Sequence, residues 1–266
     1  MAIAINPISP VAFSLLGLNV RWYALAYIAG FLFGYWLFRK MLDSRKSPVQ
    51  MNKKQLDDLL TAVILGVIIG GRLGYVLLYN PVFFLLHPLE IFAVWHGGMS
   101  FHGGLVGVLI ATWLFARKNK IRTLSVLDMM SVVAPIGLFF GRIANFINME
   151  LMGRETSVSW AVKFGENAPA VHPSPIYEAC GEGVFLFALM AILYRFTGLR
   201  RHPGALAGIM GMSYAIVRIV CEQFRVPDAQ IGFLTSWGLT MGMLLSIVMF
   251  IAGALIFAFA FCKKEV

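Results

Sequence analysis

The stretch from Gly141 to Gly153, Gly-Arg-Ile-Ala-Asn-Phe-Ile-Asn-Met-Glu-Leu-Met-Gly, ends an apolar run that begins near Leu124. Arg142, Asn145, Asn148 and Glu150 fall within about two and a half helical turns. In lipid, one charged side chain at the bilayer centre costs at least about 2.5 kcal/mol. Residues three apart share a helix face, so Arg142 points with Asn145, and Asn145 with Asn148. A cation, two amides and a carboxylate thus form a polar wall lining a wet cavity. The rest of the chain is read as what builds that cavity.

Of the 266 residues, 59% are hydrophobic and 13% are charged. Soluble globular chains carry about 25% charged residues, so this is an integral membrane protein. A net charge of +9 suits nucleic acid only in a soluble protein. Here it reflects Lys and Arg kept in cytoplasmic loops, and no nucleic-acid partner is expected. Cys180 and Cys221 fall in apolar spans and Cys262 in the tail. Three scattered thiols argue against a disulfide framework or a zinc site. The first seventeen residues lack a basic start and contain Pro7 and Pro10. They are expected to be a segment at the membrane surface, not a cleavable signal.

Spans need roughly 20 apolar residues. They are expected at about 18–38, 58–79, 97–116, 124–147, 176–196, 204–224 and 234–261. Basic residues crowd the first loop (Arg39, Lys40, Arg45, Lys46, Lys53, Lys54) and the third (Arg117, Lys118, Lys120, Arg122). They recur in the fifth (Arg195, Arg200, Arg201) and in the tail (Lys263, Lys264), while the even loops are charge-poor or mixed. The expected fold is therefore an all-α integral membrane protein with seven transmembrane helices. Its N-terminus lies outside and its C-terminus in the cytoplasm, and residues 1–266 form one polytopic membrane domain. The second loop, from Asn80 to His96, is expected to hold a short interfacial helix. Residues 150–175, between spans four and five, form a small head on the outer face. Within it, Ser157 to Phe164 alternates as a hairpin or strand pair would.

Gly66, Gly70 and Gly74 repeat every four residues, and Gly204, Gly208 and Gly211 nearly so. Small residues at this spacing let membrane helices approach closely. With the orientation above, nearly every embedded ionisable group lies in the outer half of the bilayer, which suggests a chamber open to the outer leaflet. Arg218 and Glu222, four apart, form either a plain intrahelical pair or part of a polar stripe with Tyr214 and Arg225. Glu178 and Glu182 are like charges four apart and need cations nearby or a proton. Structural partnership with the arginines and catalysis both remain open for them. Arg72, followed by Tyr75 and Tyr79, is either a structural counter-ion or functional. Asp128 suits the dipole at the start of its own helix.

His96 to Gly104 reads His-Gly-Gly-Met-Ser-Phe-His-Gly-Gly. Histidines six apart without a nearby cysteine or carboxylate do not make a metal site, and none is expected. Imidazole, with an ordinary pKa of about 6.5, suits a general base. His102, just inside the third span, is a better candidate than His96. Ser174 is expected to cap the helix that Pro175 opens.

These residues resemble the phosphatidylglycerol–prolipoprotein diacylglyceryl transferases. The resemblance is carried by Gly141–Gly153 and by Arg21-Trp22-Tyr23, Gly71-Arg72-Leu73-Gly74-Tyr75 and Gly97-Gly98-Met99-Ser100-Phe101-His102-Gly103-Gly104. It continues in His172-Pro173-Ser174-Pro175 with Tyr177-Glu178, and in Phe224-Arg225-Val226-Pro227-Asp228. It covers nearly the whole chain; Ala144 stands where a glycine is frequent.

The resemblance implies a multi-pass enzyme of the bacterial inner membrane, with a periplasmic head and a site facing the outer leaflet. It implies transfer of diacylglyceryl from phosphatidylglycerol to the lipobox cysteine of a prolipoprotein signal peptide, giving a thioether and glycerol phosphate. No metal or organic cofactor is required. His102 is then the candidate base, and Arg142 and Arg218 donate to the phosphate. Asn145 holds the glycerol head and Glu150 orients an arginine. Tyr23 and Tyr214 steady hydroxyls or phosphate. Arg72, Glu222 and Arg225 complete the binding set, and Gly153 turns the chain into the head. The alternative is an outer-leaflet lipid or solute transporter, which should show polar groups nearer the midplane and broken helices in related halves.

Overall fold

Each of the seven apolar stretches contains a helix in the computed structural model of the chain, which describes residues 2–15, 17–79, 81–227, 232–236 and 238–262. Asn80, Asp228, Lys263 and Lys264 lie outside the described residues. Strands β1 (Ile3–Ile5), β2 (Val11–Leu15) and β3 (Leu18–Arg21) precede helices α1 (Trp22–Leu42), α2 (Lys53–Leu78), α3 (Pro81–Leu86), α4 (Phe101–Lys118) and α5 (Thr123–Ile147). There follow β4 (Val162–Phe164), α6 (Ser174–Glu178), α7 (Leu186–Phe196), α8 (Ala205–Glu222) and α9 (Met241–Cys262). A π-helical segment, Ala179–Phe185, joins α6 to α7, so Ser174–Phe196 is one continuous helix.

Five of these helices are long and apolar enough to cross a membrane: α2, α5, Ser174–Phe196, α8 and α9. Helix α1 is diluted by Tyr23, Tyr27, Tyr35 and Trp36, and α4 by His102, Arg117 and Lys118. Large apolar side chains lie on the outside of the long helices, while several charges within them are buried. Leu77 is 68% exposed and Leu255 66%, whereas Asp128, Glu178 and Glu182 are fully buried. Lipid rewards the first, and an interior that can partner charges tolerates the second.

The fold divides into two compact units, Met1–Met41 with Asp128–Val266, and Leu42–Leu127. In the Leu42–Leu127 unit, α2 starts at a reciprocal cap. The Asn52 side chain accepts from Gln55 N–H at 2.8 Å, and the Gln55 side chain accepts from Asn52 N–H at 2.9 Å. Helices α2 and α4 then meet along glycines. A Cβ on Gly107 would stand 2.1 Å from the Gly66 carbonyl oxygen, and one on Gly103 2.3 Å from that of Gly70. The spacing of Gly66, Gly70 and Gly74 is thus explained by backbone contact. Gly107→Ala is expected to destabilise this unit by at least about 1–3 kcal/mol, the cost of overpacking, measured as thermal unfolding in detergent.

In the other unit, the strand expected between Ser157 and Phe164 forms only at Val162–Phe164. Its partner is not a neighbouring hairpin arm but β1, in parallel register Ile3 to Val162 and Ile5 to Phe164. Val162 also bridges Val171. Residues 3–5 and 11–15 are strands, and residues 18–21 pair with β2 instead of opening α1. Helix α8 packs on α9 through Gly208 and Gly253, where a Cβ on either meets the other's carbonyl oxygen at 2.7 Å. Gly204 precedes α8 at φ 101°, a left-handed conformation open to glycine. Its N–H and that of Ala207 donate to Asp128 at 2.7 and 2.8 Å. Asp128 thus complements the dipole of α8, not that of its own helix, because α5 brings it against the exposed donors of that helix start.

Candidate active site

Five charged side chains from three helices assemble in the interior. Arg142 comes from the last turns of α5, Glu178 and Glu182 from the π-helical region, and Arg218 and Glu222 from α8. Gly181 and Gly183 admit close neighbours to this region. A Cβ on them would meet Val217 and Phe139 at 2.6 Å. Such π turns recur at functional sites.

The side chains form one alternating chain. Arg142 Nε and Nη2 both bind Glu182 Oε2 at 2.9 Å, and Nη1 reaches Glu178 Oε2 at 3.0 Å. Glu178 Oε1 accepts from Arg218 Nη1, so this single carboxylate bridges both arginines. Arg218 Nη2 pairs with Glu222 Oε2 at 2.7 Å, and Arg225 Nη1 lies 3.7 Å from the same oxygen. Thr240 donates its hydroxyl to Glu222 Oε1 at 3.0 Å. Three guanidiniums face three carboxylates, which lets the cluster stay charged away from water. Tyr214 is buried among them, within electrostatic reach of Arg142, Arg218, Glu178 and Glu182. Glu178 and Glu182 thus find the cations they need in Arg142 and Arg218. Arg218 and Glu222 do pair four residues apart, but as links in the longer chain.

The polar wall of Gly141–Gly153 separates into two parts. Arg142 joins the ion chain, while Asn145 and Asn148 turn to Glu150 with Nδ2 to oxygen distances of 3.1 and 3.5 Å. Glu150 therefore orients two amides, not an arginine; Glu178, Glu182 and Glu222 hold the arginines instead. The end of α5 explains this. Glu150 N–H donates to Asn145 C=O at 2.8 Å and Met149 N–H to Phe146 C=O at 3.0 Å, a Schellman closure. Met149 and Leu151 both take φ 57°, a left-handed conformation that costs a non-glycine residue about 1–2 kcal/mol.

Gly153 lies where the head chain crosses two other backbones. Its N–H donates to His172 C=O at 2.9 Å, and a Cβ would stand 2.5 Å from the Phe224 carbonyl oxygen. It serves close packing of the head against two other backbones. Ser174 does not cap its helix either. Its hydroxyl donates to Leu151 C=O at 2.7 Å, tying the helix start to the head. Tyr23 sits on the first turn of α1, its ring 5.2 Å from that of Tyr27, and Tyr27 interacts electrostatically with Arg142.

Arg72 and His102 belong to the Leu42–Leu127 unit. Buried Arg72 commits all five of its N–H groups to main-chain oxygens: Nε to Ile91, Nη1 to Gly97 and Gly98, Nη2 to Glu90 and Ala93. It also lies over the rings of Phe84 and Tyr75. With every N–H group donating to a main-chain oxygen, Arg72 builds the loop before α4. The loop it builds runs into α4, where Ser100 N–H donates to Gly71 C=O at 2.9 Å and the Ser100 side chain accepts from Gly103 N–H at 3.2 Å. His102 stands in this capped first turn, its ring 5.3 Å from that of Phe101. Thr240 was not foreseen; a lone threonine after a loop gives no sequence signal.

A helical, lipid-suited fold with a buried arginine–glutamate chain defines a membrane protein with a charged interior. The chain belongs to the prolipoprotein diacylglyceryl transferase family, whose model matches residues 10–259. It is 50% identical over 261 residues, 97% of this chain and 94% of the relative, to the phosphatidylglycerol–prolipoprotein diacylglyceryl transferase of Rhodospirillum rubrum. The enzymes of the same name from Azospirillum brasilense and Methylocella silvestris are 52% identical over 256 residues and 49% over 269. These alignments cover 95% and 99% of this chain, and 94% and 98% of the relatives.

Proposed function

We infer that the chain transfers the diacylglyceryl group of phosphatidylglycerol to the lipobox cysteine thiol of a prolipoprotein. The sulfur–carbon bond forms at the glyceryl carbon, the carbon–oxygen bond to phosphate breaks, and glycerol phosphate leaves. The observation that carries this reading is the pair of guanidiniums bridged by Glu178. Negative charge grows on the departing phosphate, and preorganised donors lower that barrier. Arg142 donates its Nε–H to Glu182 and is ion-paired with Glu182 and Glu178 through Nη2 and Nη1, and its remaining N–H groups serve a phosphate oxygen. Arg218 and Arg225 continue the cationic row, aimed by Glu222. Asn145, oriented by Glu150, takes a glycerol hydroxyl, and Tyr23 and Tyr214 supply further hydroxyls. His102 removes the thiol proton, since the thiolate is the nucleophile. Arg72 acts on this step by shaping the loop before α4.

The same reading places the chain in the bacterial inner membrane with seven spans, α1 and α4 included. The 18 residues of α4 extend about 27 Å at 1.5 Å per residue, near the hydrocarbon thickness. Alternating basic loops put the N-terminus and the 150–175 head in the periplasm and the C-terminus in the cytoplasm. Mass spectrometry of a lipobox peptide, incubated with purified protein and phosphatidylglycerol, tests the reaction. A diacylglyceryl mass gain on the Cys peptide, absent from a Cys→Ser peptide, is expected with or without chelator. No gain from folded, lipid-binding protein would overturn the transferase reading in favour of lipid transport.

A further inference from the structure

Glu222 divides its two oxygens between different partners. Oε2 faces Arg218 and Arg225, while Oε1 accepts from Thr240 Oγ1 at 3.0 Å. Thr240 is 3% exposed and precedes α9. Its oxygen also accepts the Met243 N–H at 3.2 Å, so its donor serves the carboxylate and its acceptor caps the helix. The first turn of α9 is close as well: a Cβ on Gly242 would stand 3.0 Å from Glu222 Oε1. Rotation about the terminal bond of a glutamate is soft. With Oε1 released, both oxygens compete for Arg218 and draw its donors away from a phosphate.

We propose that Thr240 is a positioning residue: through Glu222 it sets the orientation of Arg218 and so the site's hold on the lipid phosphate. This rests on the transferase reading. The test uses the purified full-length protein, with kcat and KM for phosphatidylglycerol measured beside thermal unfolding. Thr240→Val keeps the shape and loses both hydrogen bonds. Thr240→Asp keeps a helix cap but sets a negative charge against Glu222. Thr240→Ser keeps both bonds. Hydrogen bonds to charged groups are strong, so Val and Asp are expected to lower kcat/KM by at least about tenfold, chiefly through KM, with Ser close to wild type. A purely structural cap predicts instead that Asp behaves as wild type and that Val loses activity only in step with Tm. Either pattern, or wild-type kinetics for Val, overturns the proposal. Arg218→Ala separates the two levels. If it is inactive while the Thr240 variants are silent, only the positioning role falls; if it is active, the arginine reading falls and this proposal with it.

Discussion

Replacing Arg142 with alanine is expected to lower kcat/KM for lipid transfer by about 10²–10³-fold. That is the loss of one preorganised donor at a developing anion, about 2.7–4 kcal/mol. Arg142 is the better exposed of the two bridged arginines, its side chain 14% accessible against 9% for Arg218, so it is the readier donor to an incoming phosphate. The same change strips fully buried Glu182 of both its short contacts and Glu178 of one. Removing one member of a buried ion pair typically costs about 3–5 kcal/mol of stability. Activity must therefore be read beside Tm. Arg142→Lys separates the terms, because lysine returns the charge but not the planar fork. It is expected to recover Tm more fully than kcat/KM. Near wild-type turnover by a folded Arg142→Ala protein would remove Arg142 from the reaction.

His102→Gln is expected to lower kcat by about 10²–10⁴-fold, the range for a lost general base, with little change in KM for phosphatidylglycerol. The argument rests on the substrate. A free cysteine thiol has a pKa of about 8.5, so only about 3% is thiolate at pH 7. Without a base, the reaction draws on that fraction. Raising the pH from 7 to 9 lifts it to about 75%, so the variant should recover about 25-fold. The wild-type enzyme, supplied with its own base, should gain much less. Loss of activity without this recovery would mean that His102 binds or supports and does not take the proton. Arg72 sharpens the test. Arg72→Ala releases five main-chain oxygens around the same loop, and its kinetic defect should mirror that of His102→Gln.

Much of the fold was legible because apolar length and charge are local properties of a chain. Seven runs of suitable length became seven helices, and glycines four apart marked where α2 meets α4. Charges inside those runs had to be partnered in the interior, so Arg142 and Arg218 stood out as residues in need of carboxylates, which Glu178, Glu182 and Glu222 supply. Asp128 was read as a dipole residue, but the helix it serves begins 76 residues later. Glu150 is expected to orient an arginine; the left-handed turn at Met149 aims it at amides instead.

The sequence by itself determined that this is a membrane protein, where its helices run and which charges need an explanation, since the cost of burying charge in lipid does not depend on the fold. Only the tertiary structure decided who meets whom. Glu178 reaches two arginines, each 40 residues or fewer away in sequence, Arg72 turns to carbonyls, β1 pairs with β4, and Thr240 holds Glu222. Those choices depend on how each helix is rotated about its axis, which glycine contacts and the π-helical turn set and which no single stretch of chain encodes.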